Sequence, residues 1–390
     1  MQIQRFFTII ALTLMTTFLL QCTSSTTEDS ENPHKHAADK ATEEDSTKGS
    51  ASTTKTSEEL IYPQEKHFKN MRQLTFGGDN AEAYFSFDDS KLVLQVTNPE
   101  KGIECDQIFY APIPQTAAEN FDTKLVSTGK GRTTCSYFYP GDSTIVYAST
   151  HQAGEACPPK PDSEKIKAYV WPLYPTFEIY KADLQGNIIK KLTENGSYDA
   201  EATISPDGKT MVFTSTRNGD IDLYTMNLDG KNVKQVTNDL GYDGGAFFSP
   251  DSKKLIFRAS RPKTPEDIKK YKDFLSQNLV APTNMELYIC NVDGSELKQI
   301  TELGNANWAP YMHPSGEKVI FASNHKSKRG FPFNLYMVNI DGTGLEQITF
   351  DDQFDSFPMF SYDGKKIVFS SNRNNGGTRD TNVFIADWVE

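Results

Sequence analysis

The sequence carries none of the short signatures of the common hydrolases and transferases. There is no Gly-x-Ser-x-Gly nucleophile elbow, no His-Glu-x-x-His zinc helix and no glycine-rich loop of the kind that cradles phosphates. Cysteine is scarce, five residues in all, and no pair is spaced Cys-x-x-Cys, so dithiol redox chemistry and a zinc ribbon lack support. Positive charge is in deficit: 40 Lys and Arg stand against 52 Asp and Glu, a net charge of −12. That balance argues against a nucleic acid or an anionic membrane surface as the partner. Long apolar runs are missing apart from Phe6–Leu20, which falls short of the about 20 residues that cross a bilayer.

That run, with Arg5 before it, reads as an export signal over residues 1–22. It ends at Leu19-Leu20-Gln21-Cys22, which resembles a bacterial lipoprotein signal with Cys22 as the acylated residue. Gln21 departs from the small residue usual there, and an ordinary signal peptide is the alternative. Several acyl chains on Cys22 would hold the protein to an outer membrane, facing the periplasm or the exterior. Residues 23–60 are Ser, Thr, Glu and Lys with almost nothing to bury, so a disordered tether is expected. The acidic run Glu28-Asp29-Ser30-Glu31 is similar to surface-export signals of some lipoproteins, and His34 and His36 read as adventitious.

The rest of the chain is repetitive. Between residues 200 and 230 lie three β-rich runs and two tight turns, Ser205-Pro206-Asp207-Gly208 and Asp229-Gly230. In Thr210–Ser215, Met211 and Phe213 alternate with Val212 and Thr214, the period of a strand. A fourth run, Lys234-Gln235-Val236-Thr237, recurs as Arg72–Thr75, Lys124–Ser127, Lys190–Thr193, Lys298–Thr301 and Glu346–Thr349. After each comes a strand, a turn such as Pro250-Asp251-Ser252 or Tyr362-Asp363-Gly364, and another strand. Four strands at a period of roughly 40–45 residues, six times over, read as an all-β, six-bladed β-propeller of antiparallel blades. The series starts with a fourth strand near Met71–Phe76 and ends with a third, Val383–Trp388, so the N-terminal strand should complete the last blade and close the ring.

These repeats resemble the Asp-bearing, WD40-like repeats of TolB-type propellers over roughly residues 68–390, with the propeller domain taken as 61–390. The resemblance implies a periplasmic or surface scaffold that binds cell-envelope proteins or a small or oligomeric ligand. No counterpart of the N-terminal domain of the Tol translocation protein is expected here, nor the hydrolase domain that accompanies a prolyl-oligopeptidase propeller.

The intervals from Leu125 to Leu192 and from Val236 to Ile300 are the wide ones, so blades two and four carry insertions between their second and third strands. In a four-stranded blade those connections emerge on the face opposite the Pro-Asp-Gly turns, which marks that face as the working one. The insertion at 152–176 holds Tyr169, Trp171 and Tyr174 among prolines, a rigid contact surface or a cap on the core. In the other, Thr264 as N-cap, Pro265 and acidic Glu266 and Asp267 start a helix that presents Ile268, Tyr271 and Leu275 on one side. Cys105 and Cys157 fall in connections of adjacent blades and are the preferred disulfide, with Cys135–Cys157 as the rival; Cys290 reads as a buried strand cysteine.

Aligning the blades yields two rings on the insertion-bearing face. After the second strands stand Asn98, His151, Arg217, Arg261, His325 and Arg373; at the entrance to the first strands stand Ala81, Thr133, Asp199, Asp243, Asn307 and Asp355. One reading makes the Asp and Arg residues staples between blades. The other gathers Asp199, Glu201, Asp243 and Asp355 at the channel mouth around a divalent cation, or uses the Arg and His residues for an anion, with Trp308 as a stacking surface. Glu201 stands out because its counterparts are counted as Ala83, Cys135, Gly245, Ala309 and Phe357. The expected function is a non-catalytic binding scaffold with no required cofactor. The alternative is a metal-assisted lyase or hydrolase on acidic oligosaccharides, with His151 and His325 on the metal and Arg217, Arg261 and Arg373 on substrate carboxylates.

Overall fold

A computed structural model describes residues 55–390 apart from Arg329, so the signal segment, Cys22, His34, His36 and the tether as far as residue 54 lie outside the described residues. The described residues form six four-stranded sheets and one two-stranded ribbon, all paired antiparallel. Blade three shows the plan: Asp199–Ile204 on the inside, then Thr210–Ser215, Asp222–Asn227 and the short outer Lys234–Gln235. The inner strand begins at Asp199, ahead of the β-rich run seen in the sequence.

The recurrent threonine of the fourth-strand signature has a physical reason. Its hydroxyl accepts a third-strand backbone N–H, as Thr237 does from Leu223 and Thr301 from Leu287. It also donates to a polar third-strand side chain, as Thr193 does to Glu178 and Thr301 to Glu286. Each outer strand is thus held where its backbone pairing has run out.

The ring closes as the phase of the repeat requires. Phe68–Gln73 pairs antiparallel with Asn382–Trp388 and is the outer strand of the sheet that contains Asp355–Phe360. The folded part starts earlier than residue 61, however. Ser57–Leu60, placed in the tether by composition, is a helical turn with Leu60 buried, and the Ser57 hydroxyl accepts from the Met71 N–H. Leu60 is the one large apolar residue in that polar stretch, and burying it fixes the turn.

On the turn face, carboxylates join blade to blade. Asp142 of blade two accepts the Phe87 and Asp88 N–H groups of blade one at 2.8 and 3.0 Å. Asp89 of blade one accepts those of Tyr362 and Asp363 of blade six at 2.7 and 3.0 Å.

The opposite face carries both insertions, and they meet. Trp171–Pro172 of blade two pairs with Leu279–Val280 of blade four. The helix Pro265–Leu275 begins with Thr264 accepting from the Asp267 N–H, and Tyr271 and Leu275 pack against the apolar cluster beneath. A disulfide joins Cys105 to Cys157; Cys105 belongs to the third strand of blade one, Ile103–Pro112, so the bond ties that strand to the blade-two insertion. Cys290 is buried in a third strand. No described helix is long and apolar enough to cross a membrane.

Candidate functional site

The two rings of the sequence resolve into very different environments. Asp199, Asp243 and Asp355 are wholly buried, and each faces the arginine of its own blade: Arg217 at 2.9 Å, Arg261 at 2.7 Å and Arg373 at 3.1 Å. Each arginine also lies over an aromatic ring of its blade's third strand, Tyr224, Tyr288 and Phe384. These pairs staple strands within a blade and do not link one blade to the next.

Burial raises Asp243 and Asp355 to about 6 even against Arg261 and Arg373. Arg373 also holds Glu65 from the N-terminal segment, so one cation serves two carboxylates at the seam of the ring.

His151 and His325 repeat the arrangement with an imidazole in place of the guanidinium. Each takes the serine two residues before it, Ser149 or Ser323, and lies against Tyr180 or Tyr336 at 4.5 and 4.6 Å. Burial lowers both below the usual histidine range. Asn98 is buried, and Asn307 accepts from Ser323 and donates to Glu286. The structure therefore does not gather Asp199, Glu201, Asp243 and Asp355 at the channel mouth, nor bring His151 to His325. Among the described residues no group of three or more His, Cys, Asp or Glu side chains is placed to hold a metal.

The residues that do face the axis come from a bulge. Every inner strand slips register once, and at each slip one residue adopts positive φ: Glu82, Cys135, Glu201, Gly245, Ala309 and Phe357, all between 47° and 60°. Counting from the turns along the sequence misaligns blade one by one position. Its turn serine is Ser86, which donates to Asp88 as Ser205 does to Asp207, so Asn80 and Glu82 take the places assigned to Ala81 and Ala83. The doubled Asp88-Asp89 hides this offset. Glu201 consequently has an acidic counterpart, Glu82.

The six bulge residues divide the mouth in two. One side holds Glu82, Cys135 and Glu201. Glu201 is saturated: it accepts from Thr214 at 2.7 Å and from the Gly245 N–H at 2.9 Å, and it pairs with Arg258, which also reaches the Tyr242 hydroxyl. Gly245 is required for this, because a Cβ there would collide with Arg258 Nη1. Burial opposes the Arg258 charge, but Glu201 and Tyr242 override it and hold the guanidinium protonated.

Glu82 is different. Water reaches part of the side chain, yet protein surrounds it, and its Oε2 has no hydrogen-bond partner among the described residues. Burial pushes it up to about 7, with the neighbouring Cys135 thiol acting in the opposite direction.

The other side is aromatic. Trp171 from the insertion stacks on Trp308 at 5.3 Å, and Trp308 on Phe333 at 4.6 Å. Phe354 touches Phe333 and Phe357, and Phe331 touches Phe333 and Phe354. Trp308 itself is buried and donates to Ser356, so the stacking surface is offered by its neighbours: Tyr169 is 59% exposed and Phe331 50%. Below the bulge layer, Tyr84, Tyr137, Phe247 and Tyr311 pack edge to face or tilted across the axis, and Tyr137 hydrogen-bonds Tyr362. The axis is thus filled beneath Glu82 by a plug of rings.

Sequence reasoning found Glu201 and missed Glu82, Arg258 and Tyr242. The one trace of Arg258 is the Gly244-Gly245 pair in a strand that elsewhere carries side chains.

A six-bladed propeller plugged at one end and capped by joined insertions at the other is the class these features define, and the resemblance to TolB-type propellers holds. Residues 154–268 match the family model described as TolB beta propeller domain. The solved structure of a putative TolB from Agrobacterium tumefaciens is 19% identical with a TM-score of 0.53, covering 80% of this chain and 91% of that one. TolB from Acinetobacter baumannii is 20% identical with a TM-score of 0.50, covering 77% of this chain and 64% of that one. At these identities the likeness is one of fold. No curated protein matches the sequence.

Proposed function

We propose that the protein is a non-catalytic binding scaffold of the bacterial cell envelope, exported through residues 1–22 and lipid-anchored at Cys22. Its ligand, a cell-envelope protein or another extended molecule, sits across the capped mouth of the propeller. The observation that carries this reading is the aromatic face. Phe331 stands exposed beside a chain of ring contacts that runs from Trp171 through Trp308, Phe333 and Phe354 to Phe357, and exposed Tyr169 accepts from Trp171 Nε1 at its other end. Aromatic residues in such a cluster are the usual anchors of a binding surface. Binding across this face needs no further chemistry from the protein. The metal-dependent alternative needs His151 and His325 to converge on one ion, whereas each uses Nδ1 on a serine of its own blade and lies against that blade's tyrosine.

The test is photo-cross-linking in whole cells with a benzophenone amino acid at Tyr169 or Phe331, and at Lys209 on the turn face as the comparison. Discrete adducts from the first two positions and none from Lys209 are expected. Adducts at Lys209 alone, or none anywhere, would sink the proposal.

A further inference from the structure

Resting on that reading, we propose that the acidic side of the mouth is a socket for one organic cation, a lysine or arginine side chain or a terminal ammonium of the protein partner. The charge would sit against Glu82, and its carbon stem would lie beside Phe357.

Four observations carry this. Glu82 Oε2 is withdrawn from solvent without a partner, while the other carboxylate of the ring, Glu201, has all its positions taken by Thr214, Tyr242, Gly245 and Arg258. A buried acceptor left open costs stability unless something fills it. The neighbouring bulge residues on either side of Glu82 are Cys135 and Phe357, a neutral thiol and an aromatic ring, and the one cation facing it, Arg258, is already engaged by Glu201 and the Tyr242 hydroxyl. The floor is closed by Tyr84 and Tyr137, so a ligand enters only from the insertion-bearing face, beside the exposed aromatics.

Valence decides the kind of cation. A divalent ion such as calcium takes six to eight oxygen ligands, drawn from several carboxylates, carbonyls and waters. The socket offers one unsaturated carboxylate. A single ammonium or guanidinium needs one carboxylate and an aromatic wall, which is what stands there. The charged and titratable groups that face Glu82 are Glu201, Arg258, Asp106, Cys135 and Tyr84.

The experiment uses the full chain and N-acetyl-lysine amide as probe, with its Nε-acetylated form as the neutral twin. Binding is followed by the fluorescence of Trp171 and Trp308, which border the mouth. Saturable binding of the charged probe, at least tenfold weaker for the neutral twin and for Glu82→Gln, is expected. Glu82→Asn provides a second variant suited to the left-handed backbone at this position. Equal binding of both probes, no change in either variant, or displacement by millimolar calcium chloride would overturn the proposal. Cross-links at Tyr169 with no probe binding would show a partner docked on the aromatic face without a cation in the socket, which separates this failure from failure of the scaffold reading.

Discussion

The Asp–Arg ring and the bulge ring share the same six blades and teach opposite lessons. In the first, the same job is repeated: a buried side chain at the start of the inner strand faces a partner at the end of the second strand of its own blade, Arg217, Arg261 or Arg373, or Ser323 where Asn307 replaces aspartate and also reaches Glu286 of blade four. In the second, the backbone is repeated but the side chains are not. Positive φ recurs six times, while the residues run from Glu82 through Gly245 to Phe357. Repetition marks architecture here, and divergence on a repeated backbone marks the place where this propeller differs from a bare scaffold.

The largest effect that would break this comparison belongs to the first ring. Arg373→Ala leaves Glu65 and Asp355 buried without a cation and is expected to cost about 3–5 kcal/mol in urea denaturation. Arg217→Ala, whose side chain is 19% exposed and serves one carboxylate, should cost clearly less. Equal losses would mean that seam and blade interior are stapled alike.

Next comes Gly245→Ala. The added Cβ meets Arg258 and sits at a φ of +60°, so a loss of about 2 kcal/mol and release of Glu201 from its ion pair are expected. A variant as stable as the parent would mean that Arg258 has another resting place.

The smallest effect is a gain. Burial raises Glu82 to about 7 in the folded state, against 4.5 for an ordinary glutamate, so its favourable contribution is complete below about pH 4.5 and is lost as pH rises through about 7. Glu82→Gln should therefore be more stable than the parent by about 1–2 kcal/mol at pH 8, discounted for the water that reaches the side chain, and no more stable at pH 4. Denaturation curves at the two pH values check it, and a variant less stable at pH 8 would mean that the carboxylate is held by something the socket reading omits.

Much of the fold was legible because its signals are local. The Pro-Asp-Gly turns, the alternating strands and the closing threonines are each written within a few residues, and the phase of the series fixed which blade the N-terminal strand completes. The wide intervals after Leu125 and Val236 likewise revealed two insertions on one face and a capped helix in the second. The site was less legible. Counting from turn to ring placed Asp199, Asp243 and Asp355 at the correct strand position, but a count along the chain does not say which way a bulged residue points. It also slipped by one where Asp88 and Asp89 stand together.

By itself the sequence determined a closed ring of six antiparallel blades, its seam at the N-terminal strand and its elaborated face, because hydrogen bonds between neighbouring strands and tight turns follow from short-range chemistry. Only the tertiary structure decided that the aspartates turn inward to their own arginines, that the two insertions pair through Trp171 and Val280, and that Glu82 is left open on the axis. Those outcomes depend on which side chains from blades far apart in sequence compete for the same buried space, and no local pattern records that competition.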